Sequence, residues 1–171
     1  MILRLSQKLK TKVKAGKLAE MPLDENPFAD WSSHLFTANR TQYIILTNSA
    51  SLYSCVMYGR GISNDGVFIE HALEAIREFM SDDNQQFIYR NYIAPSAATV
   101  RIAKALNRSV TGSMNEHIYA AKFMLDDGMA PREIGYRLNE TPMSALIGPD
   151  GRNYGYPKTV FVSLVDRIAN G

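Results

Sequence analysis

The chain carries a single cysteine, Cys55, so no internal disulfide can staple it. That residue lies inside an alternating apolar run, where a thiol packs as a small apolar group. No stretch approaches the ~20 consecutive apolar residues that a membrane-crossing helix needs. The basic N-terminus lacks the apolar core of a secretory signal, and the expectation is a cytoplasmic protein with no membrane association. Charge of one sign is also missing: the formal net charge of 171 residues is +2. This argues against a surface coated in positive charge for nucleic acid, although a local basic patch stays open. Metal and cofactor signatures are absent too. His34, His71 and His117 are scattered, without HExxH or paired Cys/His spacing, and no GxSxG elbow, Walker A run or dinucleotide fingerprint occurs. No cofactor is therefore expected.

What is present is an ordinary globular composition, 46% apolar and 21% charged. At this length one domain can bury roughly 70% of the surface its unfolded chain exposes. The opening MILRLS alternates like a strand, and Gln7 to Ala15 follows as a helix with Leu9 and Val13 on one face. Its lysines, Lys8, Lys10, Lys12, Lys14 and Lys17, spread around that helix and read as a solvated basic face. Residues 21 to 31, with two prolines and three acids, read as a loop. Three strand-like runs then follow, Ser33 to Thr37, Gln42 to Thr47 and Ser51 to Tyr58, joined by short polar links that imply an antiparallel meander. Tyr58-Gly59-Arg60-Gly61 closes the last of them as a loop bearing one arginine.

Helical spacing returns at Asp65 to Ser81, where Phe68, Ala72, Leu73, Ile76, Phe79 and Met80 recur after the cap candidates Ser63 and Asn64. Asn84 to Ile93 continues as a helix up to Pro95, and Thr99 to Ala103 reads as a further strand. Three more helices are expected, Met114 to Leu125, Pro131 to Leu138 and Pro157 to Ala169, with a loop from Gly148 to Gly155. Strands followed by helices give an α+β fold, a mostly antiparallel β-meander packed on one face by helices in a single domain. A mixed sheet, its first strand parallel to a later one, is the alternative.

The stretch "KALNRSVTGSMNE", residues 104 to 116, concentrates polar groups at the expected start of a helix. Ser113-Met114-Asn115-Glu116 fits a capping box, which accounts for Ser113 and Glu116 structurally. Gly112 just before the cap permits an unusual backbone angle. Asn107, Arg108, Ser109, Thr111 and Asn115 supply further donors there. Unpaired N–H groups at a helix start favour an anion, and Arg108 can grip one in a bidentate way. The second polar block, Arg137 to Pro142, has ordinary helix-stop signals. Its Glu140 is the residue that could pair with Arg108 or act as a base.

Four segments together, "NPFADWSSHLF", "YIILTNSASLYSCVMYGRGI", "NRSVTGSMNE" and "LNETPMSAL", resemble an uncharacterised family of small bacterial proteins, a domain of unknown function. The resemblance covers nearly the whole chain. It implies a bacterial, cytoplasmic, single-domain protein and supplies no catalytic residue. In that family the domain looks to occur alone or beside other poorly characterised domains, some associated with plasmids and mobile elements.

Three functions follow. The first is a binding module for an anionic ligand, a nucleotide, phosphate, nucleic-acid backbone or acidic peptide, held by Asn107, Arg108, Ser109, Gly112, Ser113, Asn115 and Glu140. The second is a protein-interaction component of a mobile-element, toxin–antitoxin or defence operon. The third is a hydrolase or transferase for a polar or phosphorylated small molecule, with Glu140, Glu116 or His117 as acid or base.

Overall fold

A computed structural model describes residues 1–106 and 108–169. Its centre is a five-stranded sheet in the order β4-β3-β2-β1-β5. The strands are β1 (Ile2–Leu5), β2 (Asp30–Ala38), β3 (Thr41–Asn48), β4 (Ser54–Tyr58) and β5 (Arg101–Lys104). β2, β3 and β4 form the expected antiparallel meander. β1, however, lies parallel to both β2 and β5, so the sheet is mixed. The crossovers are long enough for this, since parallel neighbours need a dozen or more connecting residues.

The helices are α1 (Gln7–Lys12), α2 (Asp65–Asp82), α3 (Gln86–Ile88, running into a wide turn at Tyr89–Ile93), α4 (Arg108–Asp126), α5 (Pro131–Asn139) and α6 (Pro157–Ala169). They cover both sheet faces rather than one. Alternation along the strands explains this, because successive side chains point to opposite sides. Trp31, Leu35, Ile44, Leu46, Cys55 and Met57 join Leu9 of α1, Phe68, Ile76 and Phe79 of α2 and Phe161 of α6 in the larger core. Phe36, Ala38, Tyr43, Ile45 and Val56 pack on the other side against Met114, Ile118, Ala121 and Leu125 of α4 and Ile134 and Leu138 of α5.

Two local expectations are corrected. Helix α4 begins at Arg108, not at Met114, and Ser113 is no cap. Its hydroxyl donates to the Ser109 carbonyl at 3.1 Å, a bond back along the helix that a residue in the helix body makes. Gly112 sits in the same helix with a negative φ. The capping-box pattern is overridden because Ser113, Met114 and His117 are buried together, which holds the preceding turn helical. The second correction concerns residues 143 to 155, where β6 (Met143–Ile147) and β7 (Asn153–Gly155) form a small hairpin in place of a loop. Met143 and Leu146 bury against Leu52 and Val160.

The loop of residues 21 to 29 is tied down by an ion pair within the fold. Buried Arg4 donates through Nε and Nη2 to the two carboxylate oxygens of Asp30, at 2.8 and 2.7 Å. Nη1 and Nη2 also donate to the carbonyls of Met21 and Pro22, at 2.9 and 2.7 Å, so the guanidinium ties the loop backbone to the strand.

Candidate functional site

β1 is short and β2 is long, and this mismatch leaves an open cleft beside β2. Pairing between them ends at Leu5 and Ser33, after which the chain turns away into α1. β2 continues to Ala38, so its edge from His34 onward has no neighbouring strand among the described residues. α1 stands on one side of that edge and α4 on the other, leaving an open cleft of about 810 Å³. Four successive β2 residues, His34 to Thr37, form its floor.

The walls are cationic. Lys8 and Lys12 lie one turn apart on α1, and Lys122 faces them from α4, one face along from Asn115 and Ile118. Thr11, Gln7 and Gln42 add neutral polar groups, and no carboxylate lines the cleft among the described residues. Lys12 Nζ is steered over the floor by a 2.7 Å bond to Gln42 Oε1. His34, half-buried between the walls, has its imidazole held below the ordinary histidine range by burial and then by Lys8 and Lys122. The lysines' field thus converges on the floor, where an ammonium–imidazolium contact would be unfavourable.

Most of the residues expected to form a site do not meet here. Arg108, Ser109 and Gly112 are exposed on the first turns of α4, and Ser113 is buried under it. Asn107 lies outside the described residues. Asn115 alone of that set lines the cleft. Glu140 caps the far end of α5 and borders a shallow hollow with Met124, Met129, Arg137 and Thr141. Met124 is more than four turns beyond Arg108 on α4, roughly 24 Å at 1.5 Å per residue, so Arg108 and Glu140 do not pair. Arg60 faces another hollow beside Glu70, His71 and Glu74. Among the described residues no cluster of three metal-ligating side chains forms.

His117 does meet a hydroxyl, but the direction of the hydrogen bonds is wrong for a nucleophile. Its Nδ1 lies 3.0 Å from Ser54 Oγ. That hydroxyl has one proton, and the Leu52 carbonyl at 2.8 Å can only accept it. His117 Nδ1 and Thr47 Oγ1, the latter at 2.8 Å, must therefore donate to Ser54. Nδ1 carries the hydrogen, Nε2 keeps a buried lone pair without a partner, and Ser54 is fully buried. The imidazole acts as a donor that holds three elements together, with its pKa pushed down to about 4 by burial.

The lysines of α1 and the histidine of β2 were visible in the sequence only as a basic helix face and a lone histidine. Lys8 and Lys12 at a four-residue spacing are a local signal. Lys122 comes from the other side of the sheet, and its convergence with them is set by the tertiary fold. No curated protein matches the chain in sequence. One family model matches residues 2–160, from the first strand into the last helix, and the chain belongs to that family, DUF6933, a domain of unknown function.

Proposed function

We propose that this protein is a binding module for an anionic ligand, and that the ligand occupies the cleft between α1 and α4. The observation that carries this is that Lys8, Lys12 and Lys122 line one recess with His34, in which no carboxylate takes part among the described residues, and that the charges of Lys8 and Lys122 reach the imidazole. Gathering like charges is unfavourable by itself, and a bound anion relieves it. This moves the expected site from the start of α4 to its middle, with Asn115 common to both.

Isothermal titration with tripolyphosphate and with an acidic peptide, at low and at physiological salt, tests it. The double variant Lys8→Glu/Lys122→Glu is expected to weaken binding at least tenfold, whereas Arg108→Ala leaves it within twofold. The opposite pattern places the ligand at the head of α4 and ends the cleft proposal.

A further inference from the structure

The floor of the cleft is an unsatisfied strand edge, and this narrows the class of ligand. Ser6 N–H donates to the Ser33 carbonyl at 3.0 Å, so odd-numbered residues of β2 present their backbone groups toward β1. Ser49 N–H donates to the Asp30 carbonyl at 2.9 Å, so even-numbered residues face β3. By that alternation the N–H and C=O of Leu35 and Thr37 point into the cleft, beyond the last residue that β1 pairs. A strand edge presents donors and acceptors in turn, a pattern matched by another polypeptide backbone and not by a run of phosphates.

Resting on the anion-binding reading of this same cleft, we infer that the occupant is an extended acidic segment of a partner protein, which adds to the β2 edge in the position that β1 vacates after Leu5. Charge complementarity supports the acidic class: an added strand sends alternate side chains to its two faces, toward Lys8 and Lys12 on one side and Lys122 on the other. The walls decide the shape. α1 and α4 flank the edge, so the sheet of a second folded domain is kept away while a single extended segment enters. The opposite edge of the meander is closed at its start by Asn139, whose side chain occupies the backbone groups of Ser54.

The experiment measures fluorescence anisotropy of a labelled short peptide of repeating Glu-Glu-Thr-Thr, with three comparison probes: the same peptide N-methylated at alternate residues, its Lys-Lys-Thr-Thr counterpart, and a short oligothymidylate. Binding of the acidic peptide is expected, with at least a tenfold loss on N-methylation and none of the lysine peptide bound. Thr37→Pro, which deletes one edge N–H at an exposed position where an edge strand tolerates proline, is expected to weaken the peptide at least fivefold with an unchanged melting temperature. Should that variant melt early, hydrogen exchange of the wild-type complex decides instead: protection of the Leu35 and Thr37 amides supports the added strand, and unprotected amides overturn it. Equal binding of the N-methylated peptide, or tighter binding of oligothymidylate with the same dependence on Lys8 and Lys122, overturns the strand inference and leaves the anion-binding proposal standing. Failure of every anionic probe to bind overturns both.

Discussion

Asn139, the last residue of α5, treats Ser54 as a neighbouring strand would: its Oδ1 accepts from the Ser54 N–H at 2.7 Å and its Nδ2 donates to the Ser54 carbonyl at 2.9 Å. Both residues are buried. One side-chain amide thereby replaces a ladder rung at the edge of the sheet and locks α5 to β4. Asn139→Leu removes both bonds and leaves a buried donor and acceptor. Since each such orphan costs about 1–3 kcal/mol, a loss of roughly 2–6 kcal/mol in urea unfolding is expected. Asn139→Asp keeps the acceptor but sets a carboxylate against a carbonyl, and it is expected to be no more stable than the leucine variant.

The buried His117 makes stability depend on pH. Its folded pKa is about 4, below the ordinary histidine value of 6.5. Between those values the unfolded chain binds the proton and the folded one does not, so stability is full above about 6.5 and falls as pH drops toward 4. The shift corresponds to about 3 kcal/mol at most. Urea titrations at pH 7.5 and 4.5 are expected to show this loss, and His117→Gln is expected to flatten the slope between them while lowering the plateau. An unchanged slope in that variant would assign the acid sensitivity to other groups.

Gly112 separates the two descriptions of the start of α4. A glycine preceding a cap, held at an unusual φ, resists substitution. Within a helix, with nothing within 4 Å of an added Cβ, it should welcome one. Gly112→Ala is therefore expected to stabilise the protein by about 0.5–1 kcal/mol in thermal or urea unfolding. Destabilisation would restore the later helix start.

Gly135 is constrained in the opposite way. A Cβ there would lie 2.5 Å from Phe79 Cε2, a ring packed at 5.1 Å from Tyr136 and 5.6 Å from Tyr53. The ring has little room to retreat, and Gly135→Ala is expected to cost about 1–3 kcal/mol through overpacking despite the better helix propensity of alanine. Combining it with Phe79→Leu should give less than the sum of the two losses, which a double-mutant cycle measures.

The contrast between these two glycines shows what the sequence could tell. Meander and helices were legible because their signals are local: alternation in Gln42 to Thr47 and the recurrence of Phe68, Ala72, Ile76 and Phe79. The parallel placement of β1 stood only as the alternative to a mostly antiparallel sheet, because a short alternating run carries no information on which strand it will join. The cap at Ser113 failed because a matching four-residue pattern was outweighed by burial of Ser113, Met114 and His117. The cleft was invisible for a related reason. Lys8, His34 and Lys122 are far apart in sequence, and their meeting depends on β1 stopping at Leu5 while β2 runs on to Ala38.

His34 offers a reporter for the cleft itself. Burial, Lys8 and Lys122 all lower its pKa in the free protein. An anion seated beside it opposes the lysines and favours the imidazolium, so its pKa must rise on binding. Linkage then requires affinity to increase as pH falls through the interval between the free and bound values. Two-dimensional NMR of the His34 ring across pH, with and without saturating tripolyphosphate, is expected to show that rise. Lys122→Gln should raise the free value and shrink the ligand-induced change, because one of the lysines whose field the ligand offsets is gone. His71, exposed beside Glu70 and Glu74 on α2 and outside the cleft, serves as the internal control, and its ring signals should not respond to the ligand. A bound ligand that moves His71 and leaves His34 untouched would place the anion elsewhere on the molecule.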